Sequence, residues 1–356
     1  MPIPGSLRAA LSGGNRIVRF RVSGNIELVD QLKVRHPNIT IDGSDAPNGG
    51  VAIWGSPLIV EANNVVIRHL RFRGSHPSEA VDALAIGGGS DILIDHISCT
   101  WGTDECLSMY GYSYAGTGRV RRVTVQNSLF AEMAQGHNMA TLVNGDVSHV
   151  TWFRNVFAKS DNRNPQLSTG QRRGPHQSPG ARLSGIAEYE LIQNVVYDAA
   201  YGTRIWNQSP DWTIHLDAIG NLWKPGPRWP DPKVPIMIST RPASVGPIRV
   251  FLDRNSGPRR SPGAPRECDF FSLESINSPC GGYEGNHRAD ARLIQSHSFP
   301  STTAAADLPN ILANVGATRP CRDSADRRIV EEVRTGTGQR SHTPPRLPDL
   351  TRPCPP

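Results

Sequence analysis

Hydrophobic and polar positions alternate along this chain in short runs that keep returning, each closing on an Asn or His followed by bulky apolar residues. The runs read NVVIRHLRF at 64–72, DILIDHISC at 91–99, RVTVQNSLF at 122–130 and HVTWFRNVF at 149–157, with weaker copies YELIQNVVY at 189–197 and LDAIGNLW at 216–223. Successive copies start 27, 31, 27, 39 and 27 residues apart when aligned on equivalent positions, inside the window of periods that marks solenoids and arrays. Period-2 alternation with β-branched residues predicts a strand in each copy. No copy is long enough to bury its own apolar face, so the copies must stack, one coil per repeat.

A second column keeps step with the first. After each run comes a short strand closing on glycine: DALAIG at 82–87, ECLSMYG at 105–111, ATLVNG at 140–145 and PQLSTG at 165–170. The pattern predicts that Leu84, Leu107, Leu142 and Leu167 register on one inward row, with their neighbours facing out. Two strand columns with turn-rich connectors describe an all-β, parallel β-helix with coils about 4.8 Å apart. An antiparallel sandwich would give no reason for both columns to share one spacing.

The ends read differently. GSLRAAL at 5–11 has Leu7, Ala10 and Leu11 on one side and predicts a short N-terminal helix capping the open coil. Further strand signals are RIVRFRV at 16–22, NITIDGS at 38–44, PIMIST at 235–240 and PIRVFLD at 247–253. These set a β-helix over 1–256, a C-terminal loop and helix region over 257–340, and a proline-rich tail over 341–356 with little to bury. Within the middle region, RDSADRRIVEEVRTGTG at 322–338 has helical spacing at Ile329, Val330 and Val333 and a glycine stop, which predicts a helix packed outside the coil.

Composition agrees with a turn-dominated fold having a narrow core: 34 Gly and 30 Pro accompany 37% hydrophobic residues in 356. No run approaches transmembrane length. MPIPGSLRAAL lacks the charged start and apolar stretch of a secretory leader. The six cysteines, Cys99, Cys106, Cys268, Cys280, Cys321 and Cys354, are even in number and fit disulfides and an oxidising, extracellular setting, although Cys99 and Cys106 suit small buried residues equally. No cysteine spacing resembles a zinc site. A net charge of +6 favours a polyanionic partner. The arginines are scattered, with no basic helix or aromatic platform, so an acidic polysaccharide is expected rather than nucleic acid, and a monomer rather than an assembly.

DALAIGGGSDILIDH at 82–96 resembles the D-x-I-x-I…W-I-D-H segment of the family-one pectate lyases, and VTWFRNVFAKSDNRNPQL at 150–167 their V-T-x-x-x-N-x-F…R-x-P-R-x segment, both without a gap. WGTDE and GTRIWN resemble the family's bacterial and fungal branch. The likeness runs from about residue 5 to 256, and GATRPCRD…RIVEEV carries it to about 338. The resemblance implies a right-handed parallel β-helix of the pectin lyase-like kind, calcium as cofactor, and β-elimination of polygalacturonate.

The residues support that chemistry on their own terms. Asp82 and Asp104 fall near the starts of neighbouring second-column strands, so their carboxylates could share one calcium. Such an ion would neutralise a uronate carboxylate and acidify the proton on the adjacent ring carbon. Glu105 and Glu132 are further candidate ligands. Arg163 occupies the position at which the family keeps its proton-accepting arginine, and Pro165 is expected to fix the loop that aims it. The sequence departs from the family at Ser108, where an aspartate is expected, and at Gln166 and Ser168, where two arginines are expected. AQGHNMATL at 134–142 holds no lysine, so His137 or Asn138 would take the substrate-binding lysine's place. Arg172, Arg173, Lys159 or Arg204 would compensate from nearby loops.

Asp95 and His96, in a first-column strand, are read as structural. Asn127, Asn155 and Asn194, with His69 and then Asn221, are expected to mark coil turns through side-chain bonds to backbone. Trp101, Trp152, Trp206 and Trp223 suit core or capping places, or stacking on sugars. The alternative to a lyase is a β-helix that hydrolyses acidic polysaccharide or merely binds it. Convergent acids at Asp104, Glu105 and Glu132 would suit hydrolysis, but would leave Arg163 without a task.

Overall fold

The structure, a computed structural model, describes residues 3–74, 80–111, 118–134, 136–170, 184–230, 234–240, 243–258, 267–273, 280, 282–295, 298–341 and 347–355. It is a parallel β-helix: in the ladders, each strand pairs in parallel with its counterpart from neighbouring coils. The coil has three faces, not two. What reads in the sequence as one strand per repeat is a pair of strands joined by a two-residue bend whose first residue is left-handed. Val65–Arg68 and Arg71–Arg73 are separated by His69, at φ 53°, and Leu70, and Val147–Phe153 and Val156–Ala158 by Arg154, at φ 56°, and Asn155. Side-chain alternation and β propensity run through such a bend unchanged, so periodicity alone does not register it.

The first face holds strands such as Val120–Gln126, Val147–Phe153, Gly185–Ile192 and Trp212–Ile219. The second is an eight-stranded ladder of mostly three-residue strands, among them Arg71–Arg73, Ser98–Thr100 and Leu129–Ala131. The third carries the predicted second column. One long strand, Leu84–Asp95, serves the third face with its first half and the first face of the next coil with its second half.

Asparagine side chains at the bend between the first two faces form a buried ladder along the axis. Asn155 Nδ2 donates to Val125 O at 2.8 Å, while Asn194 Oδ1 accepts from Asn155 N at 3.0 Å. Asn221 does the same for Asn194 at 2.9 Å, and Asn255 for Asn221 at 3.0 Å. Each amide thus satisfies a strand-end carbonyl in the coil before it and a backbone N–H at the bend, groups that burial would otherwise leave unpaired. Asn127, expected in this row, is one residue out of register. Ser128 takes the ladder place, its N–H donating to Asn155 Oδ1 at 3.0 Å, and Asn127 sits at the left-handed bend itself with φ 47°. At the next corner an exposed counterpart links Asn15, Asn38 and Asn64 at 2.7 and 2.8 Å. All three have positive φ, a conformation asparagine tolerates better than most residues.

The core row of the third face runs Val34, Val60, Ile86, Met109, Val143, Leu167, Ile205 and Ile238. Leu84 does register on Leu107, but Leu142 lies opposite Ser108 on the outward row, and Leu167 joins Val143 one position along. The leucines keep step in sequence spacing; the pairing shifts by one residue between coils, which inverts the face each side chain takes.

Leu7–Ala10 is helical, and Leu11 beyond it is buried against the first coil. Ser324–Thr335 forms the predicted outer helix, started by Asp323, whose side chain accepts from Asp326 N, and stopped by Gly336 at φ 75°. Ile329 and Val333, with Ile311 and Leu312 of a second helix, Leu308–Asn314, cover Leu129, Val156, Val195 and Tyr197 of the second face. Nearer the N-terminal end, that face presents Arg71 and Arg73 instead. Arg73 reaches Asp323 at 2.8 Å and Asp326 at 2.7 Å, with all three side chains buried. The six cysteines pair as Cys99–Cys106, Cys268–Cys280 and Cys321–Cys354. The tail buries more than its composition predicts: Leu350 is 2% exposed, its carbonyl accepts from Gly49 N, and Cys354 is bonded to Cys321.

Two stability outcomes follow. Asn194→Ala strands the N–H of Asn155 and the carbonyl of Trp152 and should cost about 2–5 kcal/mol in urea unfolding, whereas Asn127→Gly, at a left-handed, half-buried bend, should change less. Arg73→Ala leaves two buried carboxylates with only the more distant Arg71, at 3.5 and 3.9 Å, and should cost about 3–5 kcal/mol; a midpoint like that of the parent chain would mean the outer helix is not held by this cluster.

Candidate active site

The connections entering the third face carry the predicted site residues, one set per coil. Backbone bonds lock them in step: Ala83 N donates to Glu105 O at 3.1 Å, Cys106 N to Ala140 O at 2.9 Å and Thr141 N to Arg163 O at 3.0 Å. The Cys99–Cys106 disulfide, wholly buried, ties the second of these entries to the second face. The stacking places Asp82, the Asp104–Glu105 pair, His137 and Arg163 side by side along the axis.

The closest group is Asp104, Glu105 and His137, whose ligand-type atoms all lie within 4.8 Å of one another. His137 Nε2 is 2.8 Å from Asp104 Oδ1 and 3.4 Å from Glu105 Oε1. Arg163 Nη1 pairs with the same Glu105 oxygen. Its hydrogen bond from His137 holds Asp104 below the ordinary carboxylate range, against burial, with the charges of His137 and Arg163 adding to the effect. Burial lowers Arg163 from its ordinary value; Asp104 opposes this and the neighbouring Arg204 adds to it. The Nε of Arg163 is buried with no hydrogen-bond partner. Arg163 itself sits at φ 58°, its N–H held by Asn162 Oδ1 at 2.7 Å.

Asp82 belongs to the same surface but turns away from the closest group. Its oxygens accept from Ser108 Oγ at 2.8 Å, Tyr110 Oη at 2.6 Å and Glu105 N at 3.2 Å. Burial pushes its carboxyl up to about 6, against the hydrogen bonds of Tyr110 and Ser108, with Asp104 adding to the rise. Ser108, expected only as a missing charge, is therefore the side chain that orients Asp82. Tyr110, two residues on and so on the same face of its strand, was readable from the period of two but not singled out.

Other expected members stand elsewhere. Glu132 follows the second face and gives both oxygens to Arg328 of the outer helix, at 2.8 and 2.7 Å. Lys159 is fully buried beside Glu132 at 3.5 Å and pairs with Glu332. Both belong to the seam under that helix, because the corner that carries them points away from the third face. Asn138 bonds Asp161 at 3.1 Å. Gln166 lies on the outward row beside Arg204 but is 2% exposed and bonded to Ser168. Arg204 reaches Ser239 at 2.7 Å and lies 5.9 Å from the Trp206 ring centroid. Arg172 and Arg173 lie outside the described residues. Trp101, Trp152 and Trp223 are buried. Asp95 accepts from His96 at 2.7 Å and Gln126 at 3.0 Å on the first face, a structural arrangement remote from the cluster.

An oxygen-seeking cation fits this donor set: the carboxylates of Asp104 and Glu105 converge with His137, and a third, in Asp82, is raised by burial on the same surface. The sign of the Asp82 effect is testable. Its folded value near 6 lies above the ordinary 3.8, so the folded state binds the proton more tightly and, without metal, stability should rise as pH falls from about 6 to about 4. Asp82→Asn should remove that slope and stabilise the metal-free protein above pH 6; an unchanged pH profile would place the titration elsewhere.

No family model matches the chain. By sequence it is 32% identical over 225 residues to a protein of Aspergillus flavus named probable pectate lyase C, an alignment covering 63% of this chain and 47% of that one. A protein of the same name from Neosartorya fischeri is 26% identical over 336 residues, covering 93% of this chain and 70% of that one. The chain thus spans about half the length of the first of these relatives. By structure it is similar to jun a 1, the major allergen from cedar pollen, with a TM-score of 0.58 at 15% identity over 89% of this chain and 84% of that one. A thermostable pectate lyase, PL 47, gives 0.50 at 15% identity over 81% and 69%. The chain is a parallel β-helix, similar in fold to these structures and in sequence to proteins named probable pectate lyase C.

Proposed function

We propose that this protein is a pectate lyase that cleaves polygalacturonate by β-elimination, acting outside the cell. The observation that carries the reading is Arg163: a largely buried guanidinium, aimed into a cluster of acids on one face of the coil, with an unpartnered N–H and a depressed pKa. In elimination a base takes the proton from the ring carbon next to the uronate carboxylate. The electron pair of that C–H bond becomes the new carbon–carbon double bond, the glycosidic C–O bond breaks, and the leaving oxygen picks up a proton from solvent. Burial and Arg204 favour the neutral guanidine that such a base requires.

Calcium is the cofactor this reading assigns, with Asp104 and Glu105 as its ligands and Asp82 adding charge from the preceding coil. Bound there, it would neutralise the substrate carboxylate and acidify the neighbouring C–H. His137 keeps Asp104 ionised and in place. Arg204, on the groove row, is positioned to meet a second carboxylate. Glu132 is left out of the ligand set, since both its oxygens are committed to Arg328. Paired acids for hydrolysis fit less well, because Glu105 is held by a guanidinium and Asp104 lies below the usual range rather than raised as a general acid would be.

Polygalacturonate should yield an ultraviolet-absorbing unsaturated product with calcium and none after chelation; reducing ends without that absorbance would mean hydrolysis. Activity should rise toward alkaline pH, as neutral guanidine becomes less rare. Arg163→Lys should lose most turnover, about a hundredfold or more, while still binding calcium by calorimetry, since an ammonium has a different reach and geometry. Near-normal turnover in that variant would remove Arg163 as the base. Asp104→Ala should impair turnover more than Glu132→Ala, whose effect should appear in thermal stability.

A further inference from the structure

A second charged group lies beside the cluster and has no part in it. Asp161, two residues before Arg163, gathers donors from three distant segments. Arg340 Nη1 reaches its Oδ1 at 2.9 Å, Arg228 Nη1 lies at 3.3 Å, Trp229 Nε1 at 3.3 Å, and Asn138 Nδ2 is 3.1 Å from Oδ2. The Arg228 guanidinium lies 5.7 Å from the Trp229 ring centroid. The backbone N–H groups of Arg228 and Trp229 are both fixed by the buried Asp198, at 3.0 and 2.9 Å. Arg340 arrives on the strand of chain that leaves the outer helix, which is pinned on the way by Tyr197 Oη on Thr337 O at 2.8 Å and Lys159 Nζ on Gln339 O at 3.0 Å.

Two features point to a ligand. Two guanidinium groups, those of Arg228 and Arg340, face the carboxylate of Asp161, and Arg228 is 42% exposed and available to an anion. Arg340 is 4% exposed, and its Nε and Nη2 have no hydrogen-bond partner among the described residues. Those two N–H groups form one edge of the guanidinium, the edge that meets a carboxylate with two parallel bonds. Burying them unpaired is costly, and a carboxylate presented there would remove that cost. Trp229, partly exposed beside them, supplies an aromatic face of the kind that packs on sugar rings.

We propose that Arg228, Trp229 and Arg340, gathered on Asp161, form a subsite for a carboxylated sugar ring of a polyuronate, next to the ring held at Arg163. The inference rests on the polyuronate reading of the site and extends it to chain-length and charge selectivity. The side chains come from a loop after the second face and from the segment that follows the outer helix, so that segment takes part in substrate recognition.

The test is equilibrium binding of the full chain to oligogalacturonates of increasing length, by calorimetry with chelator present to stop turnover. Arg228→Ala, an exposed change that should leave the fold intact, and Arg340→Lys, which keeps the charge on Asp161 but lacks the paired edge, should each weaken binding of long unesterified oligomers about tenfold. The shortest oligomers and fully methyl-esterified chains should lose far less. Equal losses on short and long oligomers, equal losses on esterified and free chains, or unchanged binding of long chains would each overturn the subsite. Parent protein that binds long oligomers with this length dependence, yet makes no unsaturated product with calcium, would sink the lyase reading and leave the subsite supported. Parent protein that binds no polyuronate would remove the subsite, whatever its catalytic activity.

Discussion

Stacked coils of unequal length can stay in register only if every coil bends at the same places and satisfies its backbone there. The buried asparagine ladder meets that requirement. Asn155, Asn194, Asn221 and Asn255 are separated by 39, 27 and 34 residues in sequence, yet each bonds to the next through the same two atoms. Insertions are therefore absorbed elsewhere in the coil, and the bend between the first and second faces stays fixed. A side chain that both donates and accepts is needed, with a length that reaches one coil; among the neutral residues asparagine meets this closely. The left-handed residue just before each ladder position completes the turn: Asn127, Arg154, Gln193, Gly220 and Arg254 all have positive φ.

That rigidity is what allows a catalytic geometry to be spread over sequence-distant segments. Asp82, Glu105 and Arg163 are separated by whole coils, but each enters the third face through a backbone bond to its neighbour. Their spacing is set by the ladder of peptide groups rather than by the side chains. The acids are held close, with burial raising the Asp82 carboxyl and Asp104 adding to the rise, because relaxing them apart would mean breaking strand pairing on both sides.

Much of this was legible in the sequence, and the failures have common causes. Strand type, coil period and the outer helix follow from alternation and spacing, whereas Arg163 was marked only by the resemblance to the pectate lyases. The third face did not show, because one residue at positive φ bends a strand without disturbing its alternation. Leu142 was assigned inward for a related reason: equal spacing from the glycine does not guarantee equal pairing, and one residue of slip exchanges core for groove. Ser128 replaced Asn127 in the ladder by the same single-residue shift. Glu132 shows a different failure. Its distance along the chain matches the site's period, but its corner faces the outer helix, and only the pairing with Arg328, 196 residues later, decides the matter. Long-range ion pairs leave no periodic trace.

The C-terminal segment links these levels. Its helix closes the second face through an apolar half, Ile329 and Val333, and a charged half in which Asp323 and Asp326 meet Arg71 and Arg73. A buried ion network adds less net stability than apolar packing of the same size, because desolvation consumes most of the attraction. What it does supply is position: the helix cannot slide along the face without unpairing several buried charges at once. The chain leaving the helix is then delivered to one place, and Arg340 reaches Asp161, two residues before Arg163, instead of fraying into solvent. Composition alone marks residues 341–356 as dispensable, yet the segment just before them is held by the same ionic seam that carries Glu132 and Lys159. The acid and the lysine that the sequence suggested for the groove thus act on it indirectly, by fixing the path of the chain that does reach it.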